Sequence, residues 1–360
     1  MTQTQIPVAN YENKSVARLF MERRTLVAGH AFGKMFRGDT SEFRDRITTN
    51  SLVAARKMLD IGRTNAACRL VLTASKYQND VSACPSEIKA MFVSIAKSIS
   101  EAINPAKPEL SAGVLRAGAC FADGPEKATM SKSAISASIE AAEAMPASSS
   151  SKAIETLTLA RTVATEDTQI TVLSRAAAGV YFKRAKDSAG SSRIYRLDSV
   201  SGDIATAIQH DPSRTTEFKA WLAGCYFESA KSSAGNSRIY NLDSVSGDIA
   251  TAIQHDPSRT TEFKAWLAGC YFEEAKSLAG SSRIYRLDSV SKSIATAISH
   301  NPSRESELKA WLADCYIAEA ESNKWNVASV LQSLKNALQY ANPDQRERIL
   351  QMHGEFAKAQ

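Results

Sequence analysis

Between residues 191 and 235 apolar side chains return at three- and four-residue steps in two separate runs. Ile194, Leu197, Val200, Ile204, Ala205 and Ile208 form the first, and Phe218, Trp221, Leu222, Cys225, Tyr226 and Ala230 the second. That spacing lays an apolar stripe along one side of an α-helix. Gly190 closes the preceding helix, and Ser191 or Ser192 is placed to cap the next. Asp211-Pro212 then restarts the chain, with Asp as N-cap and Pro at the first helical position, where its missing N–H costs nothing. Gly235 ends the second run. Two helices of about 18–20 residues with short links are predicted to fill this stretch.

The stretch is a repeat. Trp221, Trp266 and Trp311 stand 45 residues apart, and residues 236–280 match residues 191–235 at 41 of 45 positions. The four changes are Ser191 to Asn236, Arg196 to Asn241, Ser229 to Glu274 and Ser233 to Leu278. A more diverged copy occupies 281–325. A fixed period of this length marks a solenoid, whose units bury their apolar faces by stacking on neighbours. Gly202 and Gly247 interrupt the first helix of two copies while the third has Lys292, so this position is expected to face solvent. Upstream, Ala178-Gly179-Val180-Tyr181-Phe182 precedes Ala223-Gly224-Cys225-Tyr226-Phe227 by 45 residues, with Ala176 in place of the Trp. SEIKAMFVSIAKSISEAINP and SAISASIEAAEAMP are amphipathic segments ending at Pro, and Ala117-Gly118-Ala119-Cys120-Phe121 between them faintly echoes the Trp helix. The predicted fold is all-α, an α-solenoid of stacked antiparallel helix pairs with a degenerate helical N-terminal region. Its expected segments are a polar tail (1–15), a basic helical module (16–64), degenerate repeats (65–190), three 45-residue hairpins (191–325) and C-terminal capping helices (326–360).

The repeat resembles a tetratricopeptide-type unit with its phase starting at the Trp helix. Ala220, Ala223-Gly224 and Phe227 fall near the Trp, Leu-Gly and Tyr positions of that pattern, with Trp221 shifted by one. Ala207-Ile208 followed by Pro212 matches the family's Ala-Leu and terminal Pro; Ala252/Pro257 and Ala297/Pro302 repeat it. The period is 45 rather than 34, which lies nearer HEAT or armadillo units, and SSAGNSRIYNLDS replaces the short turn between helices. The resemblance covers residues 176–325. By analogy, such families imply a protein-binding scaffold; fold alone does not carry function.

Composition agrees with this picture: 44% apolar and 23% charged residues suffice for a core, and aromatics are few. The formal charge of +6 is uneven. Residues 1–63 hold eleven Lys/Arg against six Asp/Glu, whereas repeat 191–235 holds five of each. Attraction to polyanions therefore belongs to the N-terminal module. Arg18, Arg23, Arg24, Lys34 and Arg37 form its candidate basic patch, beside an apolar face of Leu19, Phe20, Leu26, Phe32 and Phe36. Of six cysteines, Cys225, Cys270 and Cys315 are one repeat position; without any C-x-x-C pair they read as small buried thiols in a reducing compartment. No run approaches the roughly 18–20 apolar residues of a membrane span. MTQTQIPVANYENKS has no basic region followed by an apolar run, so a cleaved secretory signal is not expected. Its Thr/Gln/Asn content resembles the leaders of bacterial type III effectors.

No candidate for catalysis stands out: G-x-S-x-G, a P-loop, H-E-x-x-H and a dinucleotide fingerprint are all missing from the sequence. His210, His255 and His300 recur at the helix end before Asp-Pro or Asn-Pro. Stacking sets equivalent atoms about a helix diameter apart, too far for one metal, so a role at the helix C-terminus is expected instead. Trp221, Trp266 and Trp311 are read as structural core. The best surface candidate is a row made by Arg193 and Tyr195, Arg238 and Tyr240, and Arg283 and Tyr285, flanked by Asp198, Asp243 and Asp288. Intra-repeat ion pairing is its plain reading and recognition of a partner's acidic groups its functional one. The expectation is a non-enzymatic scaffold or adaptor without cofactors, which binds proteins or self-assembles and whose repeats act as spacer or repeated surface. The alternatives are nucleic-acid binding through residues 14–63, or a secreted bacterial effector delivered to a host cell rather than a cytoplasmic protein.

Overall fold

A computed structural model describes residues 9–12, 14–35, 41–78, 80–102, 108–190, 197–235, 242–280 and 287–357. Among the described residues the secondary structure is helical and no strand occurs. Two compact units are distinguished: Met1–Ser191 with Gly202–Ser213, and Ser192–Ser201 with Arg214–Gln360.

The first unit contains α1 (Ala9–Glu12), α2 (Val16–Met35), α3 (Ser41–Asp60), α4 (Thr64–Tyr77), α5 (Ser86–Ala102), α6 (Pro108–Phe121), α7 (Gly124–Ala144), α8 (Ser150–Arg161) and α9 (Asp167–Gly190). Apart from α1, which lies against α3, each packs mainly on helices next to it in sequence. The amphipathic segments predicted before Pro105 and Pro146 are α5 and the end of α7. Met145 turns to extended backbone (φ −68°, ψ 141°), because a residue before proline is pushed out of the helical region. Lys183 of α9 then donates to the carbonyls of Glu143 (3.0 Å) and Met145 (2.7 Å), satisfying acceptors that the end of α7 leaves open. Phe92 stacks on Phe121 at 3.9 Å within one cluster that reaches from Tyr11 to Val163.

The echo noted at Ala117–Phe121 is a close crossing. A Cβ placed on Gly118 would strike Met130 and come within 2.7 Å of the Ala96 Cβ. Glycine is needed here for helix approach, not for backbone freedom. Gly202 and Gly247 are the opposite case, with nothing within 4 Å of an added Cβ, and Lys292 is likewise exposed.

The repeats alternate short and long helices. The short ones are α10 (Leu197–His210), α12 (Leu242–His255), α14 (Leu287–His300) and α16 (Val327–Tyr340). The long ones are α11 (Thr215–Gly235), α13 (Thr260–Gly280) and α15 (Glu305–Ser322), followed by α17 (Pro343–Ala357). The described part of each short helix has 14 residues, fewer than the periodicity suggested. Val245, Ile249 and Ala252 are its buried stripe in α12. In α10 the stripe runs through Val200, Ile204 and Ala207, while Ala205, expected inside, is exposed. Ala205 lies about 100° round from Ile204, and Ala207 about 300°, so only the latter returns to the buried side. Asp256 caps its turn as expected: its Oδ1 accepts from the Ser258 N–H (3.2 Å) and hydroxyl (2.5 Å), with Pro257 next in the chain. A 3-10 turn, Pro257–Arg259, precedes α13.

In the second unit the tightest pairings are α11 with α12, α13 with α14, and α15 with α16. The hairpin is therefore a long helix followed by a short one, and α16 is a fourth short helix. Val330, Leu334 and Ala337 are buried in it as Val290, Ile294 and Ala297 are in α14. Its link to α15 is shorter than those between the preceding pairs, which breaks the 45-residue spacing.

Two glycine substitutions test these packing assignments. Gly247→Ala is expected to raise stability by about 0.5–1 kcal/mol, since the exposed helix gains propensity at no steric cost. Gly118→Ala is expected to lower it by about 1–3 kcal/mol through overpacking. Urea denaturation followed by circular dichroism measures both, and equal effects would refute the assignment.

Candidate functional site

The second unit presents two surface features that recur with the repeat. The first is the seam between hairpins. Phe227 of α11 meets Phe263 (4.9 Å between rings) and the edge of Trp266 (5.3 Å, 83°) on α13. Phe272 and Trp311 repeat the contact at 5.2 Å and 85°. Edge-on packing is favoured by the ring quadrupole and adds about 0.5–1.5 kcal/mol beyond area burial. Cations cover the seam: Lys231 Nζ lies 4.3 Å from the Phe227 ring centre, and the Arg259 guanidinium 4.6 Å from that of Phe263 and 5.8 Å from that of Phe227. Arg259 also donates twice to Glu262, at 2.8 and 2.7 Å, and Lys231 pairs with Glu228. The next seam has Lys276, Arg304, Glu273 and Glu307 in these places. The arginines hold the Glu262 and Glu307 carboxyls below their usual pKa. These pairs are exposed, so solvent screens them and they add little to stability.

The second feature joins the two helices of a hairpin. Tyr226 stacks on His255 with ring centres 5.8 Å apart and planes 19° apart, and Tyr271 on His300 at 5.8 Å and 16°. Tyr181 and His210 in the first unit stack at 5.6 Å and 13°. In the pair α15–α16 the partner is Tyr340, 6.1 Å from Tyr316. The histidines end their helices, as expected, and each stacks on a tyrosine ring. Burial lowers the pKa of His255 and His300, and Lys219 and Lys264 respectively lower it further. Both are neutral at pH 7. Burial pushes the Cys225, Cys270 and Cys315 thiols up to about 11, so they stay protonated and unreactive.

The candidate residues fall as follows. Arg193, Tyr195, Arg238, Tyr240, Arg283 and Tyr285 lie outside the described residues, as do Ile194, Phe36, Arg37 and the side chain of Phe32. Asp198, Asp243 and Asp288 stand in the first turns of α10, α12 and α14. Trp221, Trp266 and Trp311 are half-buried. Phe218 and Phe263, with Leu308 third, hold the fully buried positions, because the indole is too large to be enclosed by a helix pair. In α2, Leu19 and Leu26 are buried, but the basic residues do not gather. Relative to Leu19, Arg23 and Lys34 lie within about 60° while Arg18 and Arg24 fall about 100° and 140° away on opposite sides. Arg18 pairs with Glu22 at 3.4 Å.

Two features were not foreseen. Trp325, in the link between α15 and α16, is 80% exposed. In α3, Thr48, Thr49, Asn50 and Ser51 are fully buried, and the Thr48 hydroxyl, both Asn50 amide atoms and the Ser51 hydroxyl have no hydrogen-bond partner. The polar run gives no apolar period, so sequence alone could not place it inside.

Among the described residues, no helix is long and apolar enough to cross a membrane, and no three His, Cys, Asp or Glu side chains are gathered as a metal site. No family model matches the chain, and no curated protein matches it significantly. The fold itself defines the class: an all-α protein built from repeated helix pairs.

The histidines give a pH prediction. Their pKa in the folded state lies below 6.5, so they bind protons more readily when unfolded. Their stabilising contribution is complete above about pH 6.5 and is lost as pH falls through the folded value. His255→Gln/His300→Gln is expected to flatten the decline in urea midpoint between pH 7 and 5, relative to the unsubstituted chain. An unchanged pH profile would contradict the buried neutral assignment.

Proposed function

We propose that this protein is a non-enzymatic scaffold or adaptor whose repeated hairpins set distance or offer one surface several times, while diverged segments choose the partner. The tetratricopeptide- and HEAT-like phrasing of the repeat belongs to the same reading: such units act as protein-binding modules. The observation that carries it is the recurrence of one seam. Phe227–Trp266 and Phe272–Trp311 have nearly the same separation and angle, with the same cations above them. Units that dock identically add one after another without altering their neighbours. Three successive hairpins also carry their own Tyr–His stack, so no single asymmetric pocket is required. Trp325 supports the second half of the reading, since an exposed tryptophan beside diverged helices has the character of an interface anchor. The separated directions of the described basic residues on α2 favour a protein partner over a nucleic-acid track.

Removal of residues 236–280, one whole unit, is the test. The shortened chain is expected to stay helical, unfold cooperatively and retain its partner in affinity capture, and Trp325→Ala in the full chain to release that partner by tenfold or more, about 1.4 kcal/mol. Loss of folding on the deletion would count against additive units. Capture that survives Trp325→Ala would place the anchor elsewhere.

A further inference from the structure

Near-identical repeats pose a folding problem. Long helices of similar shape have several similar short helices to close on, and the apolar stripes Val245/Ile249/Ala252 and Val290/Ile294/Ala297 do not distinguish between them. One pair of facing polar positions inside each hairpin separates them into two classes.

On α9 and α10, Arg184 donates from both Nε and Nη2 to the buried carboxylate of Asp203, with Nε to Oδ2 at 2.8 Å. Forty-five residues on, the two places hold Ser229 and Asp248. Burial raises the Asp248 pKa and the Ser229 hydroxyl only opposes that rise; both side chains are short, and Ser229 Oγ completes no full hydrogen bond. On α13 and α14 the charge has changed sides: Ser293 donates to Glu274 Oε2 at 2.7 Å. On α15 and α16, Ser333 donates to Glu319 Oε2 at 2.8 Å. Ser229 to Glu274 is one of only four differences between the two closest copies, and Asp248 to Ser293 answers it across the helix pair.

We infer that these four pairs form a two-class matching code, which keeps the long helices α13 and α15 off the short helices α10 and α12, and α9 off α14 and α16. In the first two hairpins the acid stands on the short helix, and in the last two on the long one. Were α13 to close back on α12 or α10, Glu274 would face Asp248 or Asp203, two carboxylates in one half-buried gap. Were α9 to close forward on α14, Arg184 would meet Ser293 and lose its acid. Buried like charges and unpaired buried charges are strongly disfavoured, whereas the apolar contacts of a wrong pairing would be nearly unchanged. The position thus trades apolar burial for discrimination between folds, as polar residues do in register-specifying coiled coils.

The test uses the full-length chain. Ser229→Glu sets two carboxylates together and is expected to shift the unfolding equilibrium of the repeat region about tenfold or more toward the unfolded state, read by hydrogen exchange of the α11 and α12 amides. Ser229→Gln, of the same size without charge, is expected to shift it by less than about threefold. Ser229→Glu/Asp248→Ser rebuilds the third hairpin's pair and is expected to recover stability. Equal effects of Glu and Gln, or additive effects in the double variant, would overturn the matching. Discrimination is read separately. Ser229→Glu/Asp248→Ser and Glu274→Ser/Ser293→Asp each make the second and third hairpins alike, so both are expected to refold from urea with about half or less of the native monomer yield, the remainder appearing as swapped dimers or slow-folding monomer. Refolding of both at the unsubstituted yield would overturn the code even if the stabilities behave as expected.

Discussion

Closure of a long helix on a short one is the interaction on which the repeat region depends. Fourteen residues are too few for a helix to persist in water by itself, so α12 exists because Val245, Ile249 and Ala252 are covered. Phe227, Ala223 and Ala230 of α11 belong to the same buried cluster. Alanine at Ala223 and Ala230 lets the two backbones approach closely, and phenylalanine fills the space where the helices diverge. Once that pair is closed, Phe227 is left at its margin, and the next long helix covers it with Phe263 and Trp266. Stacking thus follows from hairpin closure instead of preceding it.

The polar groups have complementary roles. At the seams they are exposed: Arg259 with Glu262 and Lys231 with Glu228 cover aromatic faces but contribute little energy, so they shape the surface more than they hold the fold. Inside the hairpins they are half-buried and matched, at Arg184–Asp203 and Glu274–Ser293. Between these layers the Tyr–His stacks hold neutral imidazoles at the ends of α12 and α14. One 45-residue phrase therefore contains a core contact, a docking contact and a pairing contact, each on a different side of its helices. Substitution at one does not disturb the others, which is how Ser229 and Glu274 occupy the same place in otherwise nearly identical copies.

The first unit is built with less regularity. Gly118 allows α6 to cross α5 and α7 closely, and Lys183 closes the end of α7 from α9. The middle of its α3, from Ile47 to Ala55, is enclosed on all sides although Thr48, Thr49, Asn50 and Ser51 are polar. A helix surrounded by neighbours loses the one-sided pattern by which buried faces are recognised, and this helix has none to read through that stretch.

Helical class, the length of the repeat, the Asp-Pro restart, and the solvent exposure of Gly202 and Gly247 were all legible in the residues, because these are local properties: capping, propensity and a stripe that one helix carries by itself. Which helices close together was not. The same stripes would serve a short helix paired with the long helix before it or after it; the contacts of Arg184 with Asp203 and of Glu274 with Ser293 lie within the pairs that form, each with the long helix before. The fourth hairpin escaped notice since a shorter link moved Tyr340 out of step with His300, while its packing against α15 was kept. The indoles were readable as seam residues but not as half-exposed ones, for the extent of burial depends on how far a neighbouring helix reaches. Chemistry confined to a single turn of chain was determined by sequence; the choice among equivalent partners, and how deeply each side chain is covered, came only from packing in three dimensions.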